Sequence, residues 1–334
     1  MSVNNIHEYI KPGKRAHLVG IGGVSMASLA EVLLGNGVII TGSDRQESAT
    51  VAHLRSLGIP VTIGHLPESV EGADCVVRTA AVHNDNPEIA AALSAGIPVF
   101  ERAQAWGAIM TGYKNALCIS GTHGKTTTTS ICTHIFMAAQ LDPTVMIGGT
   151  LPLLKAGHRV GQGDTIILES CEYCNSFLSF RPTVAVILNI EADHLDFFKD
   201  LDDVEHSFRA FADLVPDSGY IVANCEDANT MKALEGETRP MITFGVEKGD
   251  VHAENLEMNH GFATFDVVYR DQVYAHVELS IPGMHNVKNV LAASAAAAVL
   301  GVPGWAVEQG MRDFRLPGRR FEYKGDYNGA EVCD

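Results

Sequence analysis

Gly121-Thr-His-Gly-Lys-Thr-Thr127 constrains this chain more than any other stretch. It lies between an apolar run, Ala116 to Ile119, and a segment of helical spacing that continues to about Gln140. A strand, a glycine loop, Lys-Thr and a helix form a phosphate cradle, because backbone N–H groups and the helix N-terminus converge on an anion. The loop residues Gly121, Thr122, His123, Gly124, Lys125, Thr126 and Thr127 are therefore candidate nucleotide-phosphate contacts. Lys125 would neutralise β/γ-phosphate charge, and Thr126 would offer its hydroxyl to Mg²⁺. The full G-x4-G-K-T spacing needs glycine at the position of Ile119, so this is a shortened GxxGKT loop. A chance glycine turn is the rival reading, and the strand before the loop and the threonines after it argue against it.

The rest of the chain agrees with such a unit. Ala16 to Val19, Val38 to Ile40 running on to Ser43-Asp44, Val61 to Ile63, Cys75 to Val77 and Pro98 to Phe100 read as strands between helices. The pattern restarts near Gly112-Tyr113, with further strands predicted at Thr165 to Leu168, Val184 to Leu188, Tyr220 to Ala223 and Met241 to Phe244. Strands alternating with helices imply parallel sheets covered on both faces. From His252 to Ser280 the period becomes strict alternation, with turn candidates at Asn259-His260-Gly261 and Arg270-Asp271-Gln272, so an antiparallel insert is expected. Helical spacing returns from Asn286.

At roughly 150 residues per domain, the 334 residues suggest about two domains. The expectation is an α/β chain. A Rossmann-like parallel-sheet domain spans 1–112, and a P-loop ATPase α/β domain with the antiparallel insert spans 113–317. Residues 318–334, with strand-like alternation at Phe321 to Tyr323 and Ala330 to Val332, read as the start of a truncated third domain.

A formal net charge of −16 argues against nucleic acid as a partner. Val290 to Val307 carries no charge, but it is mostly alanine and reads as a buried helix ending near Gly301 rather than a membrane span. Met1 to Lys14 lacks the apolar region of a secretory signal. Seven scattered cysteines read as reduced thiols, which together point to the cytoplasm.

Other residues carry candidate chemistry. Gly20-Ile-Gly22-Gly23-Val24-Ser25 with Asp44 is similar to a dinucleotide fingerprint, with Ser25 where the third glycine would stand. Either a nicotinamide dehydrogenase or a ligand-free βα turn accounts for it. Asn189-Ile-Glu-Ala-Asp-His194-Leu-Asp196 follows a strand and is either a metal loop or a solvated acidic one. Glu169 closes its strand as an Mg²⁺ ligand or an ordinary carboxylate. Cys171-Glu-Tyr-Cys174 has no second pair at zinc spacing and reads as an inert pair. His285, Asn286 and Asn289 suit an adenine edge, although capping a helix is the commoner use of a residue such as Asn286. Arg319 and Arg320 are either a phosphate clamp or solvated hinge charge.

Together these blocks resemble the Mur ligases. Gly20 to Met26, Gly121 to Thr128, Asn189 to Asp196, and His285 to Asn289 with Gly318-Arg-Arg-Phe321 carry the match, supported by Ser43-Asp44, Gly64-His65, Thr79-Ala80-Ala81 and Glu101-Arg102. The resemblance implies a three-domain ligase for peptidoglycan precursors, monomeric or homodimeric, with ATP and Mg²⁺. It would join L-alanine to the lactyl carboxylate of UDP-N-acetylmuramate through an acyl phosphate. A tripeptide-recycling relative acting on the same UDP-sugar is the alternative. A regulatory module that holds nucleotide without turnover is another. Lys125, Glu169 and His194 would be catalytic, with Thr126, Glu169 and His194 on metal. His285, Asn286, Asn289, Arg319 and Arg320 would hold ATP with the loop. Gly22, Gly23, Ser25, Ser43, Asp44, His65, Thr79, Ala80, Arg102 and Glu172 would face the UDP-sugar. Without its closing domain the chain is expected to bind substrates and turn over poorly. Where many members read Glu-Ala-Asp-Glu-Ser-Asp, this chain reads Glu169-Ser-Cys-Glu-Tyr-Cys174, so thiols replace two carboxylates near the metals.

Overall fold

A computed structural model describes residues 5–79, 81–312 and 314–316, together with the backbone of two strands at 323–327 and 330–333. The chain divides into two compact units, Met1–Gly112 and Tyr113–Asp334.

The first unit contains β1 (Arg15–Val19), α1 (Val24–Gly35), β2 (Ile39–Asp44), α2 (Ala49–Ser56), β3 (Val61–Ile63), β4 (Cys75–Arg78), α3 (Pro87–Ser94), β5 (Val99–Glu101) and α4 (Arg102–Met110). Its five strands are parallel in the order β3-β2-β1-β4-β5. The order reverses between β1 and β4, which puts a crevice beyond the carboxyl end of β1, where the Gly20–Gly23 turn lies. Ala16, Leu18 and Val19 of β1 are fully buried, as a central parallel strand requires.

The second unit contains β6 (Asn115–Ser120), α5 (Lys125–Ala138), β7 (Thr144–Leu151), β8 (Ala156–Arg159), β9 (Thr165–Glu169), β10 (Val184–Ile187), α6 (Leu201–Ala212), β11 (Tyr220–Asn224), α7 (Ala228–Ala233), β12 (Met241–Phe244), β13 (Val251–Asn259), β14 (Phe262–Tyr269), β15 (Gln272–Glu278), α8 (Met284–Val299) and α9 (Gly304–Arg312), with β16 (Tyr323–Tyr327) and β17 (Ala330–Cys333) as a separate hairpin. The ten-stranded sheet runs β15-β14-β13-β12-β11-β10-β6-β9-β7-β8. β6 is flanked in parallel by β10 and β9, so the loops after all three emerge at one edge. α5 packs against α8 and α9 over this sheet, burying Ile131, Ile135 and Phe136 with Val287, Val290, Leu291 and the alanines of α8.

Four details differ from the sequence expectations. The β7–β8 hairpin was not anticipated, because Gly148-Gly149 interrupts its apolar run. The antiparallel segment is not set apart, since Val251 of β13 pairs in parallel with Phe244 and extends the main sheet. The strand expected to end at Tyr323 runs on to Tyr327, and Phe321 and Glu322 lie outside the described residues. α8 begins at Met284 behind Gly283, so Asn286 lies inside the helix and is not its cap. Among the described residues no helix is long and apolar enough to cross a membrane; α8 stops at Val299.

Candidate functional site

The glycine loop after β6 has the backbone that a cradle needs. Gly121 has φ +138° and Gly124 φ +85°, conformations that L side chains rarely adopt. A Cβ on Gly121 would lie 2.9 Å from Leu188 Cβ, and one on Gly124 would lie 2.7 Å from Asn289 Oδ1. The turn is clasped by the segment after β10. His123 N–H donates to Asn189 Oδ1 (2.7 Å), Asn189 Nδ2 donates to the His123 carbonyl (3.1 Å), and Glu191 N–H donates to Thr122 Oγ1 (2.9 Å). Reciprocal bonds of this kind fix the loop before any ligand arrives, which lowers the ordering cost of binding. The His123 ring is exposed, 3.5 Å from Glu191.

Lys125 opens α5. Its Nζ donates to the carbonyls of Gly121 (2.5 Å) and Thr122 (3.1 Å), and it meets both oxygens of Glu172 at 3.0 and 3.1 Å. Glu172 is buried, so this ion pair is shielded from solvent far more than a surface pair. Glu172, which the resemblance assigns to the UDP-sugar, thus lies against the phosphate loop.

Thr126 and Glu169 come together as expected. Thr126 Oγ1 donates to Glu169 Oε1 (3.0 Å), and Gly148 N–H of β7 donates to Glu169 Oε2 (2.7 Å). His194 joins a different group. One ligand atom each from Glu172, Asp193 and His194 lies within 4.8 Å of the others. His194 itself has φ +53°, and its N–H donates to Asp193 Oδ1 (2.7 Å). The Tyr173 ring lies 4.7 Å from the His194 ring, and the Tyr173 hydroxyl donates to Asp196 (2.8 Å). That bond, with the Asp196 charge, pushes the Tyr173 phenol up to about 12. Carboxylate and hydroxyl oxygens dominate both groups, and such hard donors suit Mg²⁺.

A cavity of about 350 Å³ opens beside the loop, lined by Gly124, Thr127, Phe244, His285, Asn286 and Asn289 among others. Phe244, Leu188 and Leu316 give it apolar surface for a flat ring. The two asparagines are already engaged. Thr128 Oγ1 donates to Asn289 Oδ1 (3.2 Å), Asn289 Nδ2 to Asn286 Oδ1 (3.1 Å) and Asn286 Nδ2 to the Pro282 carbonyl (2.7 Å). This chain ties α8 to α5 directly behind Gly124.

The first unit gathers some of the remaining candidates at the carboxyl ends of its strands. Gly22 N–H donates to Asp44 Oδ2 (2.8 Å), and the N–H groups of Gly20 and Ile21 donate to the Ser43 carbonyl. Gly23 N–H donates to the Gly20 carbonyl, so the N–H groups of this turn from Gly20 to Gly23 are spent within the fold. Ser43 and His65 share a buried partner that sequence reasoning missed, Glu88. The Thr79 carbonyl accepts from Val82 N–H, Ser25 is the second residue of α1, and Arg102 is the first of α4. Ala80, Arg319 and Arg320 lie outside the described residues.

Gly148 and Tyr173 were also missed as site residues, while Asp193 lies in the loop read as a candidate metal loop. A glycine inside an apolar strand is a known sign of close approach, and a Cβ on Gly148 would stand 2.7 Å from Glu169 Oε1. Tyr173 carried no signal beyond proximity to Glu172.

Comparison with known proteins places the chain in a family. The family model described as "Mur ligase family, catalytic domain" matches residues 15–114, and "Mur ligase middle domain" matches residues 119–297. The UDP-N-acetylmuramate–L-alanine ligase of Clostridium novyi (strain NT) is 43% identical over 321 residues, 96% of this chain and 70% of the relative. The crystal structure of UDP-N-acetylmuramate-alanine ligase from Thermotoga maritima superposes with a TM-score of 0.81 at 30% identity, covering 96% of this chain and 73% of that one. The UDP-N-acetylmuramate:L-alanyl-gamma-D-glutamyl-meso-diaminopimelate ligase from Neisseria meningitides gives a TM-score of 0.82 at 28% identity, covering 90% and 98%.

Proposed function

This chain belongs to the Mur ligase family, and from that premise we propose that it joins L-alanine to the lactyl carboxylate of UDP-N-acetylmuramate with cleavage of ATP, a step in making peptidoglycan precursors. What carries the reading is the positive-φ glycine loop that presents Lys125 next to Glu172 and the Thr126–Glu169 pair, in a chain 43% identical to a ligase of that name over 96% of its length. Residues 113–317 hold ATP, with the adenine in the cavity beside Phe244 and His285. Residues 1–112 hold the UDP-sugar.

The reaction must bring a carboxylate and a triphosphate together, and both are anionic. Lys125 offsets that repulsion at the β- and γ-phosphates. The N–H groups of Thr122 and His123 are taken by Asn189, so it is those from Gly124 onward, at the N-terminus of α5, that orient the phosphate chain. The carboxylate takes the γ-phosphoryl group and ADP leaves; the amine of L-alanine then attacks the acyl phosphate and inorganic phosphate leaves. Thr126, Glu169 and the Glu172–Asp193–His194 group are the residues that would hold Mg²⁺. When bound, it supplies charge neutralisation and polarises the phosphoryl oxygens.

The test is ADP release that depends on UDP-N-acetylmuramate. Lys125→Ala should lower the rate by about a hundredfold or more, the usual cost of removing one group that stabilises transition-state charge. Robust ADP release by that variant would sink the assignment. The similar fit to the Neisseria structure keeps tripeptide as the second candidate amine. Competition between L-alanine and L-alanyl-γ-D-glutamyl-meso-diaminopimelate decides which amine this chain prefers.

A further inference from the structure

Glu88 has no solvent exposure, and nothing in the reaction above uses it. It lies in the first turn of α3, where the Asn86 cap accepts its N–H (2.9 Å), and its side chain reaches the inner edge of the parallel sheet. Three segments converge on its carboxylate. His17 Nε2 of β1 is 3.4 Å from Oε1, Ser43 Oγ of β2 donates to Oε2 (2.6 Å), and His65 Nδ1, just past β3, is 2.8 Å from Oε2.

A buried carboxylate is tolerated only when donors fill its lone pairs. Burial pushes the Glu88 carboxyl up, but the bonds from His17, Ser43 and His65 outweigh it and hold the group below its ordinary range, hence ionised. An ionised carboxylate only accepts. His65 must therefore carry its proton on Nδ1, and His17 on Nε2. His17 Nδ1 is then free to accept from the Thr41 hydroxyl, 2.9 Å away. This single proton assignment satisfies every member, which is the condition for a buried polar network to be rigid. The same carboxylate holds Ser43, whose carbonyl carries Gly20 and Ile21 of the glycine turn.

With the proton pinned on Nδ1, the other nitrogen of a neutral His65 carries a lone pair, and the His65 side chain is 18% exposed. We propose that Glu88 is a positioning residue for the nucleotide-sugar: it locks His65 in the Nδ1–H tautomer, so that Nε2 accepts a hydrogen bond from a donor on the uridine nucleotide. A ribose hydroxyl and the uracil imide N–H share that chemistry. The proposal rests on the reading that residues 1–112 bind the UDP-sugar.

The experiment is long-range ¹H–¹⁵N spectroscopy of histidine-labelled protein at about pH 8, above the ordinary histidine range. The wild type should show His65 protonated on Nδ1, with an Nε2 resonance that moves upfield as UDP-N-acetylmuramate is added. The movement should vanish with a 2′- or 3′-deoxyribose analogue if a hydroxyl is the donor, or with 3-methyluracil if the imide is. Glu88→Ala should mix the His65 tautomers and weaken UDP-N-acetylmuramate about five- to tenfold, the worth of one hydrogen bond. ATP affinity should be unchanged, which reports that the second unit is folded. Should that variant misfold, the wild-type spectra still decide the matter. An Nε2–H tautomer in the wild type overturns the proposal, and so does an Nε2 signal that ignores a bound UDP-sugar or survives all three analogues. Loss of UDP-sugar binding altogether, with ATP binding intact, instead overturns the assignment of residues 1–112.

Discussion

Gly124 shows how much a single residue decides. Its φ of +85° disfavours any L side chain, and a new Cβ would meet Asn289 Oδ1 at 2.7 Å. Gly124→Ala should therefore cost about 1–2 kcal/mol in backbone strain and push Asn289 off Thr128, weakening ATP at least tenfold while the UDP-sugar still binds. Titration calorimetry with each ligand checks this, and unchanged ATP affinity would show that the loop is not the phosphate seat. Glu88 sets a pH limit of its own. Its folded-state pKa lies below the ordinary 4.5, so its contribution is complete above that value. It is lost as the pH falls through 4.5 and on through the folded pKa. Urea midpoints should drop over that acidic range in the wild type, and the drop should shrink in Glu88→Gln. The loop glycines and Lys125 were legible in the sequence because their spacing is itself the mechanism. Glu88 was not, because a lone Glu in a helix start reads as a solvated charge, and only the fold brings His17, Ser43 and His65 to it.

Among the elements, α5 carries most of the site and is held on two sides. α8 meets it through alanines and the Asn289–Thr128 bond, and α9 meets it at Gly310. A Cβ on Gly310 would stand 2.9 Å from the Ile135 backbone nitrogen, with no flexible group to give way. Gly310→Ala should lift α9 and destabilise the second unit by about 1–3 kcal/mol, the usual cost of overpacking. Chemical denaturation should resolve it, and a neutral result would mean that α9 is not seated on α5. The strands of both sheets were readable from apolar runs because parallel strands are buried on both faces. The β7 strand escaped because Gly148, which interrupts its apolar run, serves Glu169. The start of α8 moved two residues for a related reason: Asn286 bonds the Pro282 carbonyl from within the helix, a use that spacing alone cannot separate from capping.

At the scale of the molecule, each unit has its own sheet, and the proposed function gives each its own ligand. Calorimetric unfolding should show UDP-N-acetylmuramate raising one transition and ATP with Mg²⁺ the other, each by about 2.7 kcal/mol at a hundredfold excess over Kd. Identical shifts of every transition by either ligand would contradict that division. The pattern restart at Tyr113 made two units readable from sequence, whereas the number of strands in the second sheet was not, because the antiparallel strands join it through a single pairing at Val251. With a net charge of −16, the protein as a whole repels the anions it is meant to collect. The contact between Lys125 and Glu172 turns that into a threshold. The ammonium already has one carboxylate and two carbonyls, so a newcomer takes it only by bringing more negative charge than Glu172 supplies. Under the proposed function, adenosine brings none and a triphosphate brings ample, so the same contact would favour the triphosphate over the nucleoside.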